Sequence, residues 1–333
     1  MNRLFPPLSA RARAGLVMVL VLLLAAPWIA GPYLLSVLVL ALYYAYVGQA
    51  WNVMMGFAGQ LSLGHALYVG LGAYISATLY LHGGIGPWLG GPIAAGIAAL
   101  AGAVIGFLAF RFGIGGVYFA LLTIAFAEFT RIGFEHIDAL GGAGGLFLPV
   151  VERGRLDIVD LRGGPRLFYY VLLALTAAAL WLCRTLKSSR IGYYWLAIRE
   201  DPDAARALGI DLFRYRVLAA AISAAMASLA GTIAAFYYNS LTPADSFGSA
   251  KSIEIILGPL VGGLGTLVGP ILGAFVLTGL GESLRALLDA TGQQVPGATQ
   301  LFYGIVLLLV IKFLPNGIWP GLARRLGLAN RAG

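Results

Sequence analysis

The chain has 333 residues, of which 60% are hydrophobic and only 11% charged, against about 25% charged in ordinary soluble domains. That balance excludes a soluble enzyme or binding module and places the chain in a lipid bilayer, as an all-α polytopic helix bundle. The net charge of +8 does not point to nucleic acid, because the basic residues collect at the flanks of apolar runs, as the positive-inside rule requires.

The first 14 residues form a basic tail with Arg3, Arg11 and Arg13 and no acid. The apolar run that follows has the flanks of a secretory signal. Only further spans come after it, so it reads as an uncleaved first transmembrane helix. A membrane domain is expected over 15–320, with spans near 15–31, 33–53, 61–81, 88–110, 115–134, 168–185, 217–238, 253–266, 268–284 and 298–314. Several are short or rich in Gly, so eight to ten crossings are expected, some broken or re-entrant. The stretch "GPLVGGLGTLVGPILGA" within 253–284 reads equally as a re-entrant pair.

No Asp, Glu, Lys or Arg occurs between Arg13 and Arg111, yet "GFAGQLSLGHALYVGLGAY" (56–74) carries Gln60, Ser62 and His65 among five glycines. Non-helical backbone at membrane depth is tolerated only where it faces protein or a water-filled cavity. These groups, with Asn52, are therefore candidates to line a translocation path for a polar solute. The alternative is that they bond neighbouring helices. Glu128 is the first acidic residue of the chain and lies in an apolar run. An intramembrane carboxylate suggests a role in a path or gate. Arg131, three residues on, equally offers a structural pair.

The loop 135–167 holds four basic and five acidic residues and is expected outside; the loop 184–216 holds seven basic and four acidic and is expected in the cytoplasm. Both termini, including the tail 321–333, then face the cytoplasm. Within the stretch 186–216, "EDPDAARALG" predicts a short helix with Asp201 as N-cap, Pro202 first and Gly209 as the stop. Two turns are unstable alone in water, so something must hold them. The stretches "GQLSLGHALYVGLGA" (59–73) and "GGLGTLVGPILGA" (262–274) share Gly-x-Leu followed by spaced glycines, a weak internal repeat of the kind that builds transporters.

Asp203-Ala204-Ala205-x-x-x-Gly209 resembles the EAA–xxx–G signature of ABC importer permeases, with Asp for the usual Glu and without the family's downstream Leu-Pro ending. Over about residues 50–320 the chain resembles the LivM-type permeases of branched-chain amino acid uptake systems. That resemblance rests on 56–74, "GGVYFALLTIAFAEFTRI", "AIREDPDAARALGID", "DSFGSAKSIEIILGPLVGGLGTLVGPILGA" and "YGIVLLLVIKFLPNGI". It implies an importer subunit in the bacterial plasma membrane, with Glu200, Asp203, Ala204, Ala205 and Gly209 coupling it to an ATPase. It also implies two ATP-binding subunits, a homologous second permease and a periplasmic or extracellular solute-binding protein as partners. Urea and short-amide permeases share much of the pattern.

The chain has no Gly-x4-Gly-Lys-[Ser/Thr] loop, since Lys187, Lys251 and Lys312 all lack that context. No cofactor is expected on it, and ATP and Mg²⁺ belong to the partners. A single Cys183 and the scattered His65, His82 and His136 offer neither a metal cluster nor a nucleophile–base pair, which argues against an enzyme. An ion-coupled secondary transporter is the other alternative; it needs no docking helix and more buried ionisable groups.

Overall fold

A computed structural model describes residues 10–149, 157–291 and 297–325. The chain begins with α1 (Ala10–Ile29), α2 (Pro32–Asn52), α3 (Ala66–Gly83), α4 (Pro87–Arg111) and α5 (Val117–Glu135). A loop carrying the two-residue β1 (Leu146–Phe147) leads to α6 (Pro165–Ser188), then α7 (Arg190–Glu200), α8 (Pro202–Ala207) and α9 (Leu212–Tyr238). Next come β2 (Ser240–Leu241), α10 (Pro243–Phe247), α11 (Ser249–Gly262), α12 (Gly269–Ala290), α13 (Ala298–Phe313) and α14 (Ile318–Arg325). The expected all-α polytopic bundle is therefore observed. The two short strands pair antiparallel and tie the 135–167 loop to the end of α9.

Among the described residues, six helices are both long and apolar enough to cross a membrane: α2 with its continuation to Phe57, α4, α5, α6, α9 and α12. Others in the expected set are shorter for local reasons. The run expected to be helical from 61 becomes so only at Ala66, because the glycines and polar residues before it break the helix. Helix α11 has 14 residues, about 21 Å at 1.5 Å per residue, short of the roughly 30 Å hydrocarbon layer. It folds back antiparallel onto α12, with Gly262 and Gly258 packed against Gly269 and Gly273.

The centre of the bundle is formed by α2, α3, α4 and α9, whose facing residues are small. A Cβ on Gly72 would lie 2.7 Å from Ser228 Cα, and one on Gly231 2.9 Å from Ala73 N. Such close approach is how helices associate where lipid removes the hydrophobic drive between them. Large side chains such as Trp51, Tyr68, Tyr74 and Phe236 fill the remaining core. Outward faces of α5 and α13 carry Leu121, Phe129, Leu301 and Leu308 exposed, as a bilayer or a protein neighbour in it demands. Arg162 of the 135–167 loop is 4% exposed. It donates to Asn239 Oδ1 at 2.6 Å and Pro149 O at 2.7 Å, and lies over the Tyr80 ring, stapling the loop to the bundle.

Candidate functional site: two helix interruptions and the elbow between α7 and α8

Helix α2 widens into a π-turn over Val53–Phe57 and stops, and the chain runs without helix until α3. Its freed polar groups are met one by one. Trp51 Nε1 donates to Ser62 O at 2.8 Å and Gln60 Nε2 to Ala58 O at 3.0 Å. Leu63 N donates to Thr123 Oγ1 at 3.1 Å and Ala66 N to Ser252 Oγ at 3.0 Å. Ser223 donates its hydroxyl hydrogen to Ala50 O at 2.7 Å, so it must accept from His65 Nε2, 2.8 Å away. The other ring nitrogen, Nδ1, then accepts from Ser62 Oγ at 3.1 Å, which fixes a neutral imidazole in the Nε2–H tautomer. Asn52, Ser62 and His65 are fully buried and Gln60 is 5% exposed. In this conformation all four candidates are closed off and internally bonded.

The second interruption, residues 263–268, joins α11 to α12 and touches the first. Asn52 Nδ2 donates to Thr266 O and Asn52 Oδ1 accepts from Gly265 N, both at 2.9 Å. Gln49 Nε2 donates to Leu267 O. Gly56 in the π-turn that ends α2 and Gly265 of the second glycine-rich stretch thus meet beside the same asparagine. From the side of the 186–216 segment, Lys187 Nζ donates to Gly265 O at 2.7 Å and Arg199 Nη1 to Gly56 O at 2.6 Å. A hollow of about 840 Å³ opens beneath them, walled by Met55, Gly56, Gly59, Arg199, Leu264 and Arg324. A second hollow of about 480 Å³ lies near the other end of α9, with Val69, Ala73 and Ala234 in its wall. Val69 is one turn past His65, and its backbone N–H donates to His65 O.

Helix α8 has the bounds the sequence predicts. Asp201 caps it, its carboxylate accepting from Asp203 N at 2.9 Å and Ala204 N at 3.0 Å. Gly209 turns the chain with φ +81°, while Ile210 N donates to Ala205 O at 3.1 Å and Gly209 N to Arg206 O at 2.9 Å, the Schellman pattern. The expected coupling residues divide between two environments. Ala205 is 1% exposed and packs inside the chain with Ile198 and Leu212. Asp203, Ala204 and Gly209 are exposed. Arg206 pairs with Asp203 at 3.0 Å, and Glu200 accepts from Arg199 Nη2 at 2.7 Å. Leu208, not singled out in the sequence, is 80% exposed at the same tip. Glu128 sits apart on α5, accepting from Arg131 Nε at 2.9 Å with its side chain 46% exposed; Arg131 also pairs with Glu135.

Sequence reasoning did not single out Gln49, Ser223, Ser252, Lys187 or Arg199. Polarity inside an apolar run marks Gln49 and Ser223, while nothing local marks Ser252, which lies between Lys251 and Glu254, or the two cations, whose positions suit the flank of a span equally well. Residues 33–311 match the family described as the branched-chain amino acid transport system / permease component. The chain belongs to that family. It is 30% identical to the high-affinity branched-chain amino acid transport system permease protein LivM of Escherichia coli K12, over 97% of this chain and 79% of that protein. The LivM of Salmonella typhimurium is 28% identical over 94% of this chain and 76% of that protein. The LivH permease of E. coli K12 is 24% identical over 83% and 90%. No solved structure matches the chain. The permease is accordingly a multi-pass transport subunit of the LivM type.

Proposed function

We propose that this permease carries branched-chain or other hydrophobic amino acids into the cell as one subunit of an ATP-driven importer. In this reading it pairs with a homologous LivH-like permease, receives solute from a binding protein, and is driven by two ATP-binding subunits that hold ATP and Mg²⁺. Both termini and α8 face the cytoplasm. The names of its relatives support amino acids over urea or short amides as solute.

The observation that carries the coupling part is the elbow between α7 and α8. The tip of α8 offers Ala204 and Leu208 outward, a small apolar surface left uncovered among the described residues. Arg199, two residues before the Asp201 cap, holds the Gly56 carbonyl. A push on α8 is thereby passed through α7 to the helix interruptions. Asn52, Gln60, Ser62 and His65 form the closed barrier between the two hollows, and solute passage requires their bonds to exchange. Glu128 serves α5 through Arg131 and Glu135.

The test is paired ATP hydrolysis and leucine uptake in vesicles holding the permease with its co-expressed partners. Leu208→Glu places a charge in an apolar seat and leaves the buried Ala205 packing intact. Both solute-stimulated ATP hydrolysis and uptake are expected to fall at least tenfold at matched permease content. Uptake that needs no ATP, or a native complex without ATPase subunits, overturns the import reading; full coupling in the variant overturns α8 as the docking element.

A further inference from the structure

The hollow near the end of α9 is more than a gap in packing. Its rim and walls bring three charged side chains, Lys251, Glu254 and Asp245, beside an apolar surface of Val69, Ala73 and Ala234. At about 480 Å³ it falls within the usual range of small-molecule sites, about 300–1,000 Å³. It lies at the opposite end of α9 from α8, on the side from which an importer's solute arrives.

The charges are arranged unevenly. Lys251 Nζ donates to Tyr44 Oη at 3.0 Å and lies 3.6 Å from Glu254 Oε2, and the Tyr44 hydroxyl donates onward to Glu254. The same ammonium lies 5.2 Å from the Tyr43 ring centre and 5.0 Å from that of Tyr44. Glu254 is therefore satisfied, and Lys251 is held in place with a donor direction to spare. Asp245 is different. Its side chain accepts from Thr242 Oγ1 at 2.7 Å, and among the described residues no basic side chain pairs with it. The hollow thus holds one anchored cation and, within its electrostatic reach, a carboxylate that no cation among the described residues contacts directly, with aliphatic surface in the same wall.

We propose that this hollow is a docking subsite for a zwitterionic aliphatic amino acid. The solute carboxylate meets Lys251, its ammonium meets Asp245, and its side chain lies on Val69, Ala73 and Ala234. The assignment rests on the import reading and deepens it by naming where the solute first enters this chain. Other solutes match less of the site. Urea has neither charge nor an apolar part, and an aliphatic amine or acid alone satisfies one charged residue and leaves the other. A divalent metal finds a cation in its way. The floor connects directly to the barrier, because Ser252, the neighbour of Lys251, accepts from Ala66 N at the start of α3. Filling the hollow therefore bears on the segment that carries His65.

The experiment uses the reconstituted complex with Ala250→Cys, and separately Ser246→Cys, both in the wall of the hollow; the native Cys183 is buried. Labelling by a membrane-impermeant thiol reagent is followed with L-leucine, 3-methylbutylamine, 4-methylpentanoate or urea present at equal concentration. Leucine is expected to slow labelling at least threefold and the other three to do so little. Lys251→Met and Asp245→Asn, each added to the cysteine background, are expected to abolish the protection. Equal protection by urea, protection that survives both substitutions, or no protection at either cysteine overturns the subsite. ATP-dependent leucine uptake is measured on the same vesicles. If uptake is present without protection, the subsite fails and the import reading stands; if no ATP-dependent uptake occurs, the import reading itself fails.

Discussion

The two helix interruptions sit side by side but are built from opposite materials. The first, between α2 and α3, brings polar side chains of its own in Gln60, Ser62 and His65, and draws on Thr123, Ser223 and Ser252 across the bundle. The second, 263–268, owns a single hydroxyl. Thr266 Oγ1 donates to Gly263 O at 2.7 Å and accepts from Gly269 N at 3.0 Å. Its other side-chain partners are borrowed: Gln49 and Asn52 from the end of α2, and Lys187 from the end of α6. Gln49 and Asn52 are three residues apart and so share one face of α2. The end of α2 therefore holds both interruptions, whereas the second holds nothing of the first beyond contact. Damage should spread in one direction only.

The strongest way to break this arrangement is at the point of contact. A Cβ on Gly56 would overlap Asn52 Oδ1 and come within 2.7 Å of Gly265 N. Gly56→Ala therefore displaces the asparagine as well as the backbone it serves, an overpacking cost of about 1–3 kcal/mol added to the lost hydrogen bonds. It is expected to lower the thermal midpoint of the purified complex the most and to reduce uptake more than tenfold. Native behaviour in both measurements would mean that the two interruptions do not need each other.

Asn52→Leu separates the interruptions more gently. Gly265 N–H and Thr266 C=O lose their partner, at a cost on the order of 1–3 kcal/mol for each group left unpaired. Amide hydrogen exchange is expected to rise over 263–268 while 60–65 stays protected, because the first interruption keeps its own bonds. A rise in 60–65 instead would reverse the direction of dependence.

This asymmetry was only half legible in the sequence. Gln60, Ser62 and His65 stand out because they interrupt a long run without charge, and "EDPDAARALG" sets the ends of α8 because N-caps, Pro at the first position and a terminal Gly act locally. Glu128 and Arg131 were readable as a pair for the same reason, one helix and three residues. Long-range pairing was not legible. Asn52 meets Gly265, and Tyr44 meets Lys251 and Glu254, across more than two hundred residues of chain. Arg199 and Lys187 carry no local mark, since a basic residue at a cytoplasmic flank is what topology alone demands. The seat of Ala205 inside the chain, rather than against a partner, follows from the return of α9 beneath α8, which no spacing within the motif reveals.

The smallest structural effect is expected at His65, and there the comparison becomes a question about transport. His65→Leu removes two side-chain hydrogen bonds, to Ser62 and Ser223, but deprives no backbone group of a partner. Ser223 retains Ala50 O, and Leu is close enough in size to keep the core filled. Interhelical hydrogen bonds in membranes average about 0.6 kcal/mol, so a loss of about 1 kcal/mol is expected, below that of Asn52→Leu. Hydrogen exchange should rise over 60–66 and remain native over 263–268. Uptake should respond out of proportion. In the proposed barrier between the two hollows the imidazole is a polar group, and replacing it with leucine leaves an apolar step that a charged solute crosses poorly. Uptake is expected to fall at least fivefold at matched assembly, with the ATPase subunits still bound. If assembly and uptake fall together by the same small factor, His65 only holds helices together. In that case the barrier opens elsewhere, and the first interruption is no closer to the solute than the second.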